Sequence, residues 1–344
     1  MGQRVVISEL GTQPLEAIDR FASLVDQPMP DPALLGARDV IIAVASATVG
    51  WVDLIMAAGM YQHVPKPPYT PGLEYAGTIA WAGAETDLVV GARVVVDPFL
   101  AGPRSLGAHR DGGFASFAIA PVEAVHAIPG ALTFDQACNL FGNYETAYHC
   151  LIARGRLAAG ETVLIHGASG SVGLAAVHVA KLVGATVIAT GRSEAKLAIV
   201  KAQGADHVIG TQSLRDDVKR LTNGRGVDVV YDGVGGDISA ASLRCVHFGA
   251  RYLIVGWAAT PGAVNQLPTN LIMMKGLDVL GCPTVISTVN DPSIRIARLA
   301  QIMAWVQAGQ LTPYVSRTYP LAEFKAALHA KWRGELVGGA VLHP

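Results

Sequence analysis

The segment that most constrains this chain is Thr162-Val163-Leu164-Ile165-His166, followed at once by Gly167-Ala168-Ser169-Gly170-Ser171-Val172-Gly173. A short apolar run that ends in a glycine-rich turn and opens a helical stretch reads as a strand–turn–helix unit. In such a turn Gly170 lets the backbone approach a pyrophosphate, Gly173 lets helix and strand pack closely, and the amides of Ser171 and Val172 face the anion. The spacing is G-x-x-G-x-x-G, and the same glycines could make only a tight turn. The chain beyond the turn favours the dinucleotide reading. After the helix to about Val183 come the run Thr186–Thr190, a helix near Ser193–Gln203, the run His207–Ile209 and a helix near Leu214–Leu221. Then come Val227–Tyr231, a helix near Ser239–Val246, Tyr252–Val255 and Leu277–Leu280. Strands alternating with helices, apolar on both faces, predict a doubly wound α/β parallel sheet covered on both sides. A last helix, Ile294–Ala308, stops at Gly309.

The end of the second strand of this unit chooses between dinucleotides. An Asp or Glu there accepts a hydrogen bond from a ribose 2′-hydroxyl. Here Gly191 stands at that place, in Thr190-Gly191-Arg192-Ser193-Glu194-Ala195-Lys196. Arg192, Ser193 and Lys196 offer a planar fork of donors, a hydroxyl and a compact charge, the set that surrounds a 2′-phosphate. The expectation is NADP(H), against the alternative that Arg192 and Lys196 are merely solvated.

Upstream, residues 1–131 are punctuated by Pro and Gly and hold short apolar runs: Val40–Val49, Gly77–Ala82, Arg93–Val96 and Ala115–Ala120. These predict a β-rich unit, and Pro65, Pro67, Pro68 and Pro71 mark an irregular loop. The pattern changes after Pro129-Gly130. For a chain of 344 residues two domains are expected: a nucleotide domain at 132–284, and a second built from 1–131 and 285–344, with Val337–Leu342 as its closing strand. Hydrophobic residues make up 51% and charged residues 15%, which excludes disorder. No apolar stretch reaches the roughly 18 residues of a membrane span, and the first residues read as a strand rather than a signal peptide. Net charge is −1 from 26 basic and 27 acidic residues, so no basic stripe suggests nucleic acid. Cys138, Cys150, Cys245 and Cys282 form no C-x-x-C pair. Neither a disulfide framework nor a structural zinc site is expected, and the cytoplasm is the expected compartment.

The whole chain resembles the medium-chain dehydrogenase/reductase superfamily, through Pro71–Gly77, Gly91–Val94, Gly112–Phe117, Glu145–His149, Gly249–Gly256 and the glycine turn. Within it, the chain is similar to the zinc-independent, ζ-crystallin-like quinone oxidoreductases. The resemblance implies a GroES-like β-rich catalytic domain beside a Rossmann domain. Zinc members carry a Gly-His-Glu segment, where this chain has Gly72-Leu73-Glu74, and a Cys shortly before the position of Asp53, which is absent here. No metal is therefore expected, and without a Lewis acid alcohol oxidation is disfavoured. Tyr61 matches the tyrosine that helps protonate or orient substrate in enoyl thioester reductases of the superfamily, and it is a tyrosine in many quinone reductases too. By position Thr146 lies near the nicotinamide, Gly256 and Trp257 follow the strand that flanks it, and Val234 belongs to the turn near the adenosine ribose. In that turn Asp232 reads as a turn or cap residue. Many relatives have Asn where Gly50 stands, and a Gly-Lys where Gly338-Gly339 stands. Gly50 and Trp51 thus open the substrate cleft and add an aromatic wall, unless Trp51 is core.

The implied activity is NADPH-dependent reduction of a small electrophilic acceptor, a quinone. An enoyl compound on the same scaffold is the alternative, with Lys66, Arg104 and Arg110 available as a basic rim for an acyl-CoA. A non-catalytic crystallin-like or RNA-binding relative is a further alternative. A homodimer through the strand Leu277–Leu280 is expected.

Overall fold

The computed structural model of this chain describes residues 2–129, 131–258 and 265–344. Gly130, at the expected change of pattern, lies outside them, as does Met1. Two compact units form, Met1–Gly142 with Thr312–Pro344, and Asn143–Leu311. Both edges fall later than the sequence boundaries at 131 and 284, for reasons of packing. The helix Phe134–Ala137 lies on the strands Asp39–Thr48 and Tyr75–Ala82, and Thr48 Oγ1 donates to Cys138 O at 2.5 Å. The helix Ile294–Gln307 is tied by Arg295 to Glu145 in the second unit.

The first unit is mostly antiparallel. Its larger sheet runs in the order Val315–Pro320, Gly339–His343, Asp39–Thr48, Tyr75–Ala82, Arg93–Val96, Val125–Ala127, and Phe117–Pro121 also pairs with Asp39–Thr48. A hairpin of Gly2–Ile7 and Ala22–Gln27 stands apart. Val40, Ile42, Tyr75, Ile79 and Val94 fill one core with Leu54 and Met56 of the helix Trp51–Ala57. The proline-rich segment before Thr70 forms no helix or strand.

The second unit is a six-stranded parallel sheet. Its order is His207–Ile209, Thr186–Thr190, Thr162–Ile165, Val227–Asp232, Val246–Ile254, Asp278–Gly281. The chain winds outward from Thr162–Ile165 in one direction and then returns to continue in the other. The neighbours Thr162–Ile165 and Val227–Asp232 therefore mark the switch point, where open α/β sheets bind ligands beyond the carboxyl ends of their strands. One sequence expectation is corrected. The helix expected at Ser239–Val246 is Asp237–Ser242, and Val246 already begins a strand that runs to Ile254. The reason is an irregular register, with Val227 opposite Val246 but Val229 opposite Arg251. Gly249, at φ 79°, takes up the slack. Among the described residues, no helix is long and apolar enough to cross a membrane.

Candidate functional site

In the second unit, the strand Thr162–Ile165 delivers the chain into the glycine turn. Gly167 has φ 64°, a left-handed conformation that glycine adopts without strain. The Gly170 amide donates back to Gly167 O at 2.9 Å and closes the turn. The helix Ser171–Val183 then starts with Gly170 at its cap position, so no side chain of that residue occupies the helix N-terminus. A Cβ on Gly173 would stand 2.2 Å from Gly167 O and 2.9 Å from Ala168 Cα. Only glycine at 173 keeps the helix this close to the turn. The first amides and the positive end of the dipole of the helix Ser171–Val183 thus lie at residues 170–173, beside the turn.

Two buried side chains brace this turn from behind. Asp232, at the end of Val227–Asp232, accepts from the amides of Val234 (2.8 Å) and Gly235 (3.0 Å) through Oδ1. Its Oδ2 accepts from the hydroxyls of Ser239 (2.6 Å) and Tyr252. Burial would raise its pKa, but nearby His166 and these donors hold it below the usual carboxylate range. Asp232 is thus a turn residue, as its strand-end position implied, and it fixes Val234 beside the glycine turn, 3.1 Å from where a Cβ on Gly167 would lie. His166 is 1% exposed and bridges Thr190 Oγ1 (2.8 Å) and Ser242 Oγ (2.7 Å). Ser242 donates to Ile238 O at 2.6 Å, so it accepts from His166 Nε2–H, and His166 Nδ1 accepts from Thr190.

Burial pushes His166 down to about 4, and it does the same to His149. The unfolded chain binds imidazole protons near pH 6.5, while the native state refuses them until about 4. Stability is therefore full above pH 6.5 and falls as pH drops through this window, by up to about 1.4 kcal/mol per pH unit for each ring. Urea unfolding across that range should show a shallower loss in His166→Asn than in the parent. Equal slopes would mean that His166 is protonated in the native state.

The second strand ends at Thr190, and Gly191 donates to Ile209 O at 3.4 Å. Ser193 caps the helix Glu194–Ala202, its hydroxyl accepting from the Lys196 amide at 3.4 Å. Arg192 is exposed and pairs with no carboxylate among the described residues, and Lys196 is half-buried one turn on. Arg192 and Ser193 thus directly follow the strand end, and Lys196 lies in the first turn of the next helix. The amides of Val255 and Gly256 donate to Asp232 O, at 2.8 and 3.2 Å, so Gly256 sits at the carboxyl edge of the same sheet. Trp257 beside it is 58% exposed. Thr146 is half-buried on the helix Phe141–Tyr148. Its neighbour Glu145, overlooked by sequence reasoning, is 1% exposed and accepts from Arg295 Nε (2.9 Å) and Nη2 (2.6 Å), with Arg298 Nε at 3.3 Å.

In the first unit, Tyr61 lies half-buried just beyond the helix Trp51–Ala57. Burial raises its phenol, and the charge and hydrogen bonding of Arg104 pull it back down. Gly50 precedes that helix and donates to Asp53 Oδ2 at 3.0 Å. Trp51 stacks on Trp332, ring centroids 4.7 Å apart and planes 10° from parallel, so one face of its indole is committed to packing. Trp51 is therefore placed by a structural pair that the sequence did not reveal. Asp53 also accepts from the Gly72 amide at 2.9 Å, and burial raises it to about 6. Nearby Lys331 is pushed down to about 8 by burial against the pull of Asp53 and Glu74.

Residues 36–130 match the alcohol dehydrogenase GroES-like domain, and residues 171–296 match the zinc-binding dehydrogenase family. A quinone oxidoreductase-like protein 2 homolog of Nematostella vectensis is 32% identical over 97% of this chain and 87% of its own. The chain belongs to the quinone oxidoreductase branch of the medium-chain dehydrogenase/reductase superfamily, and it is an oxidoreductase. The quinone oxidoreductase of Lama guanicoe is 31% identical, covering 95% of this chain and 93% of its own. Among solved structures, a mycobacterial protein in complex with NADPH superposes with TM-score 0.82 at 26% identity, over the full length of both chains. An NAD-dependent alcohol dehydrogenase reaches TM-score 0.84 at 26% identity over 99% of each chain.

The superfamily fold implies a nicotinamide dinucleotide, and the glycine turn fits one, since Gly170 at the cap of the helix Ser171–Val183 carries no side chain to cover the first amides of that helix. Zinc, implied by the name of the matched family, does not fit. Leu73 replaces a ligating histidine, and Glu74 is used to accept from the Gly142 amide at 3.1 Å. A Cβ on Gly142 would meet Glu74 Oε1 at 1.9 Å, so no ligating side chain can be added there without displacing that carboxylate. Among the described residues, no three His, Cys, Asp or Glu are grouped to hold a metal ion.

Proposed function

We propose that this quinone oxidoreductase-branch enzyme takes NADPH in preference to NADH and reduces quinone-type acceptors without a metal. The observation that carries the cofactor choice is the strand end at 190–196, which lacks a carboxylate at Gly191 and presents Arg192, Ser193 and Lys196. In this reading Gly170, Ser171, Val172 and Gly173 cradle the pyrophosphate, Val234 borders the adenosine ribose, and Thr146, Gly256 and Trp257 border the nicotinamide. When bound, the reduced cofactor supplies a hydride. The protein must then orient the acceptor and provide a proton.

Tyr61 is the proton donor of this scheme, and Gly50 and Trp51 line the acceptor cleft. Of the three charges considered as an acyl-CoA rim, only Lys66 is exposed. Arg104 is buried, and Arg110 is half-buried with Nη2 donating to Pro103 O at 3.4 Å. The basic rim that coenzyme A phosphates require is therefore not assembled from these residues, which favours a quinone over an acyl-CoA. Among the described residues, the strand Asp278–Gly281 ends the parallel sheet, with Val246–Ile254 as its one neighbour. Its open edge suits pairing with a second copy in a homodimer.

The test is NADPH oxidation by metal-stripped protein, followed by absorbance, with a simple quinone and an enoyl-CoA in parallel. Quinone-dependent turnover alone is expected. Enoyl-CoA turnover without quinone turnover, or activity restored only by zinc, overturns the proposal.

A further inference from the structure

Among the buried arginines of the described residues, Arg104 is the one that no carboxylate accompanies. It sits in the loop from Asp97 to Gly113, whose backbone is held by its own hydrogen bonds. Asp97 Oδ1 accepts from the Phe99 amide at 2.8 Å, Gly102 donates to His109 O at 2.9 Å, and Ser105 donates to Gly102 O at 3.0 Å. The residue is 8% exposed, and its guanidinium lies 4.3 Å over the Phe99 ring. Nε and Nη2 are both buried and have no hydrogen-bond acceptor, and no carboxylate pairs with Arg104 among the described residues. The other buried arginines, Arg295 and Arg298, share Glu145 as counter-ion. A buried cation without an anion is costly, and buried donors without acceptors add to the cost. The Tyr61 hydroxyl is its polar neighbour.

We infer that Arg104 and Tyr61 form a receptor for negatively charged oxygen, with Arg104 as a further catalytic residue, so that the acceptor class is one whose reduction leaves charge on oxygen. The inference rests on the proposed quinone reading and deepens it. Hydride enters the acceptor as a carbon–hydrogen or oxygen–hydrogen bond, and the electron pair it displaces comes to rest on a carbonyl oxygen. The free donors of Arg104 hold that oxyanion. The Tyr61 O–H bond breaks as its proton passes to the same oxygen, giving the neutral reduced product. Arg104 then holds the phenolate until solvent returns the proton. The reduced nicotinamide is the reductant, and no other co-reactant is needed.

The experiment uses 4-nitrophenol, whose phenolate absorbs apart from its neutral form, as a probe that is not reduced. Its titration is followed with the parent, Arg104→Gln, Arg104→Lys and Tyr61→Phe. The parent should bind the phenolate in preference to the phenol. Arg104→Gln should lose that preference, with about 10-fold or greater weakening, while Arg104→Lys retains part of it. In turnover with a quinone, Arg104→Gln should lose about 100-fold in kcat, the scale of one missing oxyanion donor. Its urea midpoint should hold or rise, where loss of a structural arginine would lower it. Equal phenolate preference in the parent and Arg104→Gln overturns the inference even if quinones turn over. Failure of quinone turnover in the parent, with phenolate preference intact, overturns the quinone reading and leaves the oxyanion receptor supported.

Discussion

Glu145→Gln lowers the unfolding free energy of the second unit by about 3–5 kcal/mol, the range for breaking a buried pair by removing one partner. Glu145 pairs with both Arg295 and Arg298, and those arginines are 8% and 2% exposed. An amide leaves two guanidinium groups in a low-dielectric interior with their shared counter-charge gone. Arg298 retains a donation to Thr288 Oγ1 at 2.9 Å, but Nη1 of the same group already lacks an acceptor. Urea unfolding followed by the fluorescence of Trp305, whose ring lies 5.9 Å from that of Tyr148 in the same unit, reads the loss. Removing the charges together, as Glu145→Leu with Arg295→Met and Arg298→Met, should recover most of it, because the attraction of a buried ion pair roughly cancels its own desolvation. A loss below about 1 kcal/mol in Glu145→Gln, the worth of an exposed pair, would show that water reaches this cluster.

The parallel sheet and its phosphate turn were legible because their causes are local. Apolar runs on both faces, glycines at 167, 170 and 173, and a stop at Gly309 each act over a few residues, and the strand, turn and helix boundaries fall within a residue or two of those expected. The exception, Val246, is instructive. Its strand is set by pairing with Val227, and an irregular register leaves no period-two signal in Val246–Ile254. The site divides in the same way. Asp232 announced itself by ending a strand, whereas the cap role of Ser193, expected inside the helix, came only with the structure. The Glu145–Arg295–Arg298 group joins residues 150 apart in the chain, and the Trp51–Trp332 stack joins positions still farther apart. No window of sequence contains such pairs. Arg104 is the sharpest case. In the sequence it reads as one of three loop charges available as a rim for an acyl-CoA, and only burial without a counter-ion makes it a candidate for chemistry.

Arg192→Ala combined with Lys196→Ala lowers NADPH affinity by about 100-fold and leaves NADH affinity within about 3-fold, so the two cofactors become nearly equivalent. A hydrogen bond to a charged group contributes about 1.5–3 kcal/mol, and 1.4 kcal/mol is about tenfold in affinity. Arg192 is exposed and Lys196 half-buried. Solvent screening keeps each near the low end, about tenfold apiece, and makes the preference shrink as salt rises. Ser193→Ala is the less clean variant. Its hydroxyl also caps the helix Glu194–Ala202, and losing a cap costs about 1 kcal/mol of stability whichever dinucleotide binds. The reverse change, Gly191→Asp, introduces the carboxylate that a ribose 2′-hydroxyl needs and a 2′-phosphate repels. The backbone tolerates it if Leu197 yields slightly, since a Cβ at 191 would lie 3.1 Å from Leu197 Cδ2. Equilibrium binding of both dinucleotides, titrated at low and high salt, decides the matter. Parent protein that binds NADH as tightly as NADPH would make Arg192 and Lys196 solvated surface charges and return the cofactor question to the glycine turn, which holds either pyrophosphate equally.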